Sequence, residues 1–397
     1  MFVFDVHTKD GQARRGTLMT PHGRVETPTF VAVGTLGTVG AATVKDLQTI
    51  GTQTIISNAY HLHLHPGEDL IEKMGGLHRF MGWQKPLMLD SGGFQVFSLG
   101  AGKVHGVGKL APIFPDEHDR GGHLSSKKRK PLVAVDEEGA EFISYLDGSR
   151  HRFSPEGVVK IGRKLGADIL LVLDECTSPL HDYRYTKDAM DRTHRWAVRA
   201  LKEKAQHQDS SQMLMGIVQG GVYRDLREAS ASFIVNCGFE GYALGGSLGR
   251  SKGDMHQILE WTVPLLPDNR PRHLLGIGSV EDVFEVVERG IDLLDCIAPQ
   301  RLARTGTLLV KEAKRFRIHI LNKRFRDDPA PIEEDCTCYA CSNYSRAYLR
   351  HLFEAKEISA MQLAVIHNLF FIETLMREIR CSIEERRWGA LKREWFG

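Results

Sequence analysis

The sequence predicts an α/β protein: a TIM-type (β/α)8 barrel with an antiparallel hairpin insertion and a C-terminal zinc-binding helical subdomain. Three observations carry this. From about residue 24 to 300, short apolar runs end in polar or glycine-rich turns and amphipathic stretches follow, the rhythm of βα units. Asp90, Asp174, Gln219, Gly246 and Asp295 each stand just after such a run. A barrel gathers all its strand C-termini on one face, whereas an open sheet collects fewer at its switch point. After residue 300 the rhythm stops, and three cysteines crowd into "DCTCYAC".

The elements follow in order. "TIISNAY" and "PLMLDSGGFQVF" are early strand candidates. The polar segment 104–127 reads as a mobile surface insertion, and "LVAVDEEGAEFISYLDGSRHRFS" alternates around two acidic-glycine turns, the pattern of hairpins. "ADILLVLDEC", "LMGIVQGG", "GYALGG" and "RHLLGIG" each precede an amphipathic stretch, and "IDLLDCIAP" closes the series. Residues 301–326 hold nine Lys or Arg against one Glu. In the tail, Ile358, Met361, Val365, Leu369, Ile372, Met376 and Ile379 recur every three or four residues, one face of a long helix. Residues 1–300 are therefore expected to form the barrel, with its insertion at about 100–153. Residues 301–397 are expected to hold a basic segment, the metal site and helices closing onto the barrel.

The 397 residues are 42% hydrophobic and 26% charged, enough to bury a core, and a net charge of +2 calls for no polyanion globally but can hide a local basic patch. No apolar run reaches membrane-spanning length, and the N-terminus lacks the order of a signal peptide, so a cytoplasmic protein with no membrane association is expected. Seven cysteines, four scattered and three clustered, argue for reduced thiols rather than a disulfide framework.

Cys336, Cys338 and Cys341 supply three of the four ligands that zinc prefers; Cys381, His351 and His367 are candidates for the fourth. Four protein ligands leave no place for water or substrate, so the metal would be structural. Asp90, Asp174 and Asp295 end apolar runs, and a carboxylate at a barrel mouth is partly desolvated, with its pKa raised toward acid–base or nucleophilic work. Gly92 and Gly93 are expected to let a flat ligand approach the backbone.

The motifs "LDSGGFQVFSL", "LVLDECT", "GIVQGG", "YALGG", "DLLDCIAPQR", the C-x-C-x-x-C cluster and "HNLFFIETLMREIR" together resemble bacterial tRNA-guanine transglycosylase, over nearly the whole chain. The resemblance implies exchange of the wobble guanine of GUN-anticodon tRNAs (those for Asp, Asn, His and Tyr) for a free 7-deazaguanine base, preQ1 or queuine, in queuosine biosynthesis or salvage. It implies a covalent Asp–ribose intermediate, one structural Zn2+ per subunit and a homodimer. Carried over by residue, Asp295 is the nucleophile and Asp90 the proton acceptor and donor. Asp174, Gln219 and the Gly246 N–H read the purine edge, Phe94 stacks on the base, and Ser91, Gly92, Gly93, Gly245, Ser247 and Gly249 line the site. Cys336, Cys338, Cys341 and His367 hold the zinc. Gly276, Ile277, Gly278, Ser279, Val280, Glu281 and Asp282 form one RNA-contacting segment; Gln300, Arg301, Leu302, Ala303 and Arg304 form the other.

Physical chemistry agrees. Breaking an N-glycosidic bond builds positive charge on the sugar, which a carboxylate traps, and a base in a single-stranded loop is the easiest to extract. Two departures from the family pattern stand out. "PQR" replaces the usual "PTR" after the nucleophile, and Gly249 takes a valine position, which is expected to widen the pocket wall toward queuine. The alternatives are an archaeosine-type enzyme and a non-catalytic zinc-bearing tRNA-binding module.

Overall fold

The structure, a computed structural model, describes residues 2–97, 133–207 and 211–397; the 104–127 segment lies outside the described residues. The chain opens with an antiparallel sheet, β1 (Val3–Asp10), β2 (Ala13–Thr20) and β3 (Gly23–Thr27). This sheet was not foreseen, because β1 buries only Phe4 fully and so carries a weak apolar signal. Arg14 from β2 explains its place. Its guanidinium is 1% exposed and donates from Nε to Asp292 Oδ1 at 2.8 Å, just ahead of the last barrel strand. The sheet is thereby tied to the N-terminal end of the barrel, away from the site.

Next come β4 (Thr29–Val33), β5 (Ile55–Asn58) and β6 (Leu87–Asp90). A second antiparallel sheet, β7 (Val133–Asp136), β8 (Gly139–Ile143) and β9 (Arg150–Phe153), occupies the expected hairpin stretch. The series resumes with β10 (Ile169–Leu171), β11 (Met213–Val218), β12 (Gly241–Leu244), β13 (Arg272–Leu274) and β14 (Leu293–Asp295). The eight strands β4, β5, β6, β10, β11, β12, β13 and β14 pair in parallel in that order, and β14 returns to β4, closing the barrel. Every residue of β5, β11, β12 and β13 is buried, as expected of parallel strands covered on both faces. Ser154, Asp182, Ser251 and Ser279 accept hydrogen bonds from backbone N–H groups at the starts of the helices that follow them, which fixes where those helices begin.

Beyond the barrel, β15 (Thr307–Leu309) pairs with β16 (Arg317–His319), and four helices follow: Tyr339–Asn343, Arg346–Glu354, Ile358–Glu384 and Trp388–Phe396. By length and composition the Ile358–Glu384 helix could cross a membrane, contrary to the reading that no segment could, but 67% of its most apolar window is buried inside the fold. One apolar core runs from the barrel into this helix through Val365, Leu369, Ile372, Met376 and Ile379. The predicted stripe fails only at its start: Ile358 is 81% and Met361 37% exposed.

Candidate functional site

Asp90 ends β6 and Asp295 ends β14, so both carboxylates stand at the C-terminal mouth of the barrel. Asp90 Oδ2 accepts from the Asn58 amide at the end of β5, and the backbone N–H groups of Ser91 and Gly92 also donate to its carboxylate. Burial, then the negative charge of Asp295, push the Asp90 carboxyl up to about 7. Two carboxylates in one low-dielectric pocket resist ionising together, so Asp90 is poised to hold or release a proton near neutral pH.

Asp295 is held on one side only. Its Oδ1 meets His273 Nε2 at 2.8 Å and the Gly276 N–H at 3.4 Å. Among the described residues no donor reaches Oδ2. His273 is fully buried on the neighbouring strand β13, and among the described residues its Nδ1 has no partner.

Asp174 follows β10, is 6% exposed and is raised to about 7, by burial first and then by Asp90. Its Oδ2 accepts from Gln219 Nε2, which follows β11. With Asp174 ionised, that bond fixes the amide orientation, because a carboxylate cannot donate to an amide oxygen. Among the described residues Gln219 Oε1 is left buried without a donor. A buried acceptor without a partner costs about 1–3 kcal/mol, which a ligand N–H would recover.

The glycines do something other than expected. A Cβ on Gly92, at φ +85, would lie 2.5 Å from the Tyr60 Cβ, and one on Gly93 would lie 2.6 Å from Asp174 Oδ1. They let the loop pack closely onto Tyr60 and Asp174. Ser91 is buried beneath, whereas Phe94 is 48% exposed and free to stack. Gly245 and Gly246 bring the β12 loop onto Gln219; a Cβ on Gly246 would sit 2.0 Å from Gln219 Oε1.

Gly249 is the clearest correction. At φ +98, a Cβ there would lie 2.2 Å from the Asp254 Cβ at the start of the Lys252–Thr262 helix. The missing side chain serves a tight turn, and a side chain there would run into Asp254. Ser247 helps close this turn by accepting from the Gly249 N–H at 3.1 Å.

The sequence reading missed the group that locks this loop. Arg227, 0% exposed, donates to the carbonyls of Gly221, Val218, Gly245 and Ser247 at 2.7–3.1 Å. Its place was signalled by an arginine in register with the buried Ser230, Ala231 and Ile234 of its helix.

The two segments expected to contact RNA are exposed only in part. Within 276–282, Ile277, Gly278, Val280 and Asp282 are buried; Asp282 pairs with Lys252 at 2.7 Å, and Ser279 caps the next helix. Gly276, Ser279 and Glu281 keep some exposure. Within 300–304, Gln300 and Ala303 are buried and Leu302 is half-buried, leaving Arg301 and Arg304 exposed. The side chains of Ile277, Val280, Asp282, Gln300 and Ala303 therefore face the protein, not a ligand at the surface. Beyond them, Lys314, Arg315, Arg317, Lys323, Arg324 and Arg326 are exposed.

Cys336, Cys338, Cys341 and His367 form a cluster that could hold a metal ion. The three sulfurs lie 3.7, 3.6 and 3.4 Å from His367 Nδ1. A tetrahedral ion with bonds of about 2.3 Å to sulfur and 2.0 Å to nitrogen holds these donors about 3.5 Å apart, so the residues fit. His367 Nε2 donates to the Leu309 carbonyl at 2.7 Å, which turns Nδ1 toward the sulfurs. Cys381 and His351 are not in the cluster. A second group, His22, His78 and Asp168, lies where the barrel strands begin. The Asp168 carboxyl is held below its ordinary value, and although burial opposes this, hydrogen bonds from His78 and His22 outweigh it. The two imidazoles satisfy that carboxylate without an ion.

The chain was compared with known proteins. The family model described as queuine tRNA-ribosyltransferase matches residues 9–113 and 112–397. A relative from Archaeoglobus fulgidus is 48% identical over 399 residues, 98% of each chain. The queuine tRNA-ribosyltransferase of Roseiflexus sp. is 44% identical over 408 residues, covering 100% of this chain and 99% of its own. That of Aquifex aeolicus is 44% identical over 401 residues, covering 100% and 98%.

Proposed function

Because the chain belongs to the queuine tRNA-ribosyltransferase family, whose members are tRNA-guanine transglycosylases, we propose that it exchanges the wobble guanine of GUN-anticodon tRNAs for a free 7-deazaguanine base, preQ1 or queuine. The observation that carries this reading is the meeting of Asp90 and Asp295 at one barrel mouth, with the charge of Asp295 raising the Asp90 carboxyl.

Asp295 attacks the ribose C1′ through Oδ2, the oxygen without a donor. The glycosidic bond breaks, and its electron pair leaves with guanine, which takes the Asp90 proton. The sugar is then an ester of Asp295. The incoming base gives its proton to Asp90 and attacks C1′, and the ester electron pair returns to Asp295. A covalent intermediate divides the exchange into two easier steps with the RNA held throughout. Asp174 and the free Gln219 Oε1 offer acceptors for purine-edge donors, and the Gly246 N–H would meet an acceptor. Phe94 provides an exposed ring for stacking.

The Cys3His cluster is read as a structural zinc site, because four protein donors leave no open coordination position. A homodimer through the metal-bearing region is consistent with the exposed Tyr339, Tyr348, Ile358 and Met361. Light scattering at rising concentration reports it, and a monomer throughout would oppose it.

The test uses unmodified GUN-anticodon tRNA carrying labelled guanine. Wild type should release guanine on addition of preQ1 or queuine and form an RNA adduct on denaturing gels. Asp295→Asn should bind the tRNA and form no adduct. Competing the two bases sets their order. A wild-type protein that binds tRNA without release or adduct would favour the non-catalytic module.

A further inference from the structure

We propose that His273 is a positioning residue that selects the attacking oxygen of Asp295 and keeps the covalent intermediate from accumulating, an inference that rests on the transglycosylase mechanism above. Its Nε2 lies 2.8 Å from Asp295 Oδ1, and the Gly276 N–H reaches the same atom at 3.4 Å. An ionised carboxylate can only accept, so Nε2 carries the hydrogen. The two donors engage Oδ1 and leave Oδ2 free.

The ring has little freedom to do otherwise. His273 sits in the middle of β13, with 0% exposure and its backbone paired to β12 and β14. Its Nδ1 faces no partner, so a second proton there would be a buried donor with nothing to meet. The geometry therefore assigns one fixed N–H, at Nε2, aimed at the nucleophile.

The consequence follows from where charge resides. Before attack, and after transfer to the new base, Asp295 is an anion. Between those points it is a neutral ester, and Oδ1 is its carbonyl oxygen. A hydrogen bond to a charged acceptor is stronger than one to a neutral acceptor. The His273 N–H thus stabilises both tRNA-bound states relative to the adduct. It slows entry to the adduct and speeds departure, because the carboxylate charge is regenerated as the ester breaks. A short-lived adduct gives water less time to hydrolyse it to an abasic RNA.

The experiment follows adduct formation and decay on denaturing gels, with end-labelled GUN-anticodon tRNA and a chase of excess guanine. In His273→Leu the adduct fraction should rise and its decay in the chase should slow by about tenfold, with formation no slower than in wild type. His273→Gln, whose Nε2 lies near the imidazole Nε2, should restore decay toward wild type. His273→Asn, with a shorter amide, should behave as the leucine variant and replaces it should leucine prevent folding. Equal slowing of formation and decay would mark a purely structural role and overturn the proposal, as would unchanged decay in both the leucine and asparagine variants. Absence of adduct in wild type would instead remove the parent mechanism, and this inference with it.

Discussion

At the residue scale, the Asp90 and Asp174 carboxyls are both held near 7, by burial first and then by the charge of Asp295 on Asp90 and of Asp90 on Asp174, and this couples the site to stability. The folded chain keeps protons that the unfolded chain loses above about pH 4. Stability from this source is full below that pH and is lost as pH rises through about 7. Asp90→Asn removes one such titration. Its melting temperature should therefore gain on wild type as pH rises from about 5 to about 8, by an equivalent of about 1–3 kcal/mol, while guanine release is lost. A pH-independent difference in melting temperature would contradict the raised carboxyl. The three aspartates were legible in the sequence because each ends an apolar run. His273 and Asn58 were not. They are polar residues in otherwise apolar strands, where a pattern-based reading sees only interruptions. What the glycines pack against was hidden for a related reason. Sequence shows that a side chain is missing, but not whether a ligand, Tyr60, Asp174 or Asp254 takes the space.

At the element scale, the Ile358–Glu384 helix joins the Cys3His cluster to the segment after Asp295. His367 faces the three cysteines, and its neighbour Asn368 accepts from the Leu309 N–H at 2.9 Å and donates to the carbonyls of Pro299 and Thr307 at 3.0 Å. Pro299 lies in the Ala298–Arg304 helix that directly follows Asp295. Cys338→Ala should therefore abolish stoichiometric zinc by elemental analysis, lower the melting temperature, and weaken guanine exchange in whatever protein stays folded. Full metal content in this variant would refute the ligand set. The helix and its periodicity were readable, as were the barrel strands and the hairpin insertion. The first sheet was not, because β1 shows one face to solvent and buries little. The bareness of Ile358 and Met361 was equally hidden, since a helical stripe does not say where its cover ends.

At the scale of the whole molecule, a net charge of +2 conceals a strongly uneven surface. Arg301, Arg304, Lys314, Arg315, Arg317, Lys323, Arg324 and Arg326 are exposed in the segment that follows Asp295. If three or more of them meet phosphates, tRNA affinity should fall about 20- to 40-fold between about 50 and 200 mM salt, and Arg301→Ala with Arg304→Ala should flatten that slope. A salt-insensitive affinity would move the RNA elsewhere on the surface. One feature of the tail carries further than its packing. His367 and Asn368 are consecutive, so a single backbone step separates the candidate metal ligand from the side chain that holds the Pro299 carbonyl. Cells deprived of the ion would then accumulate protein that is slow as well as scarce, and undermodified tRNA would rise faster than the protein's abundance falls.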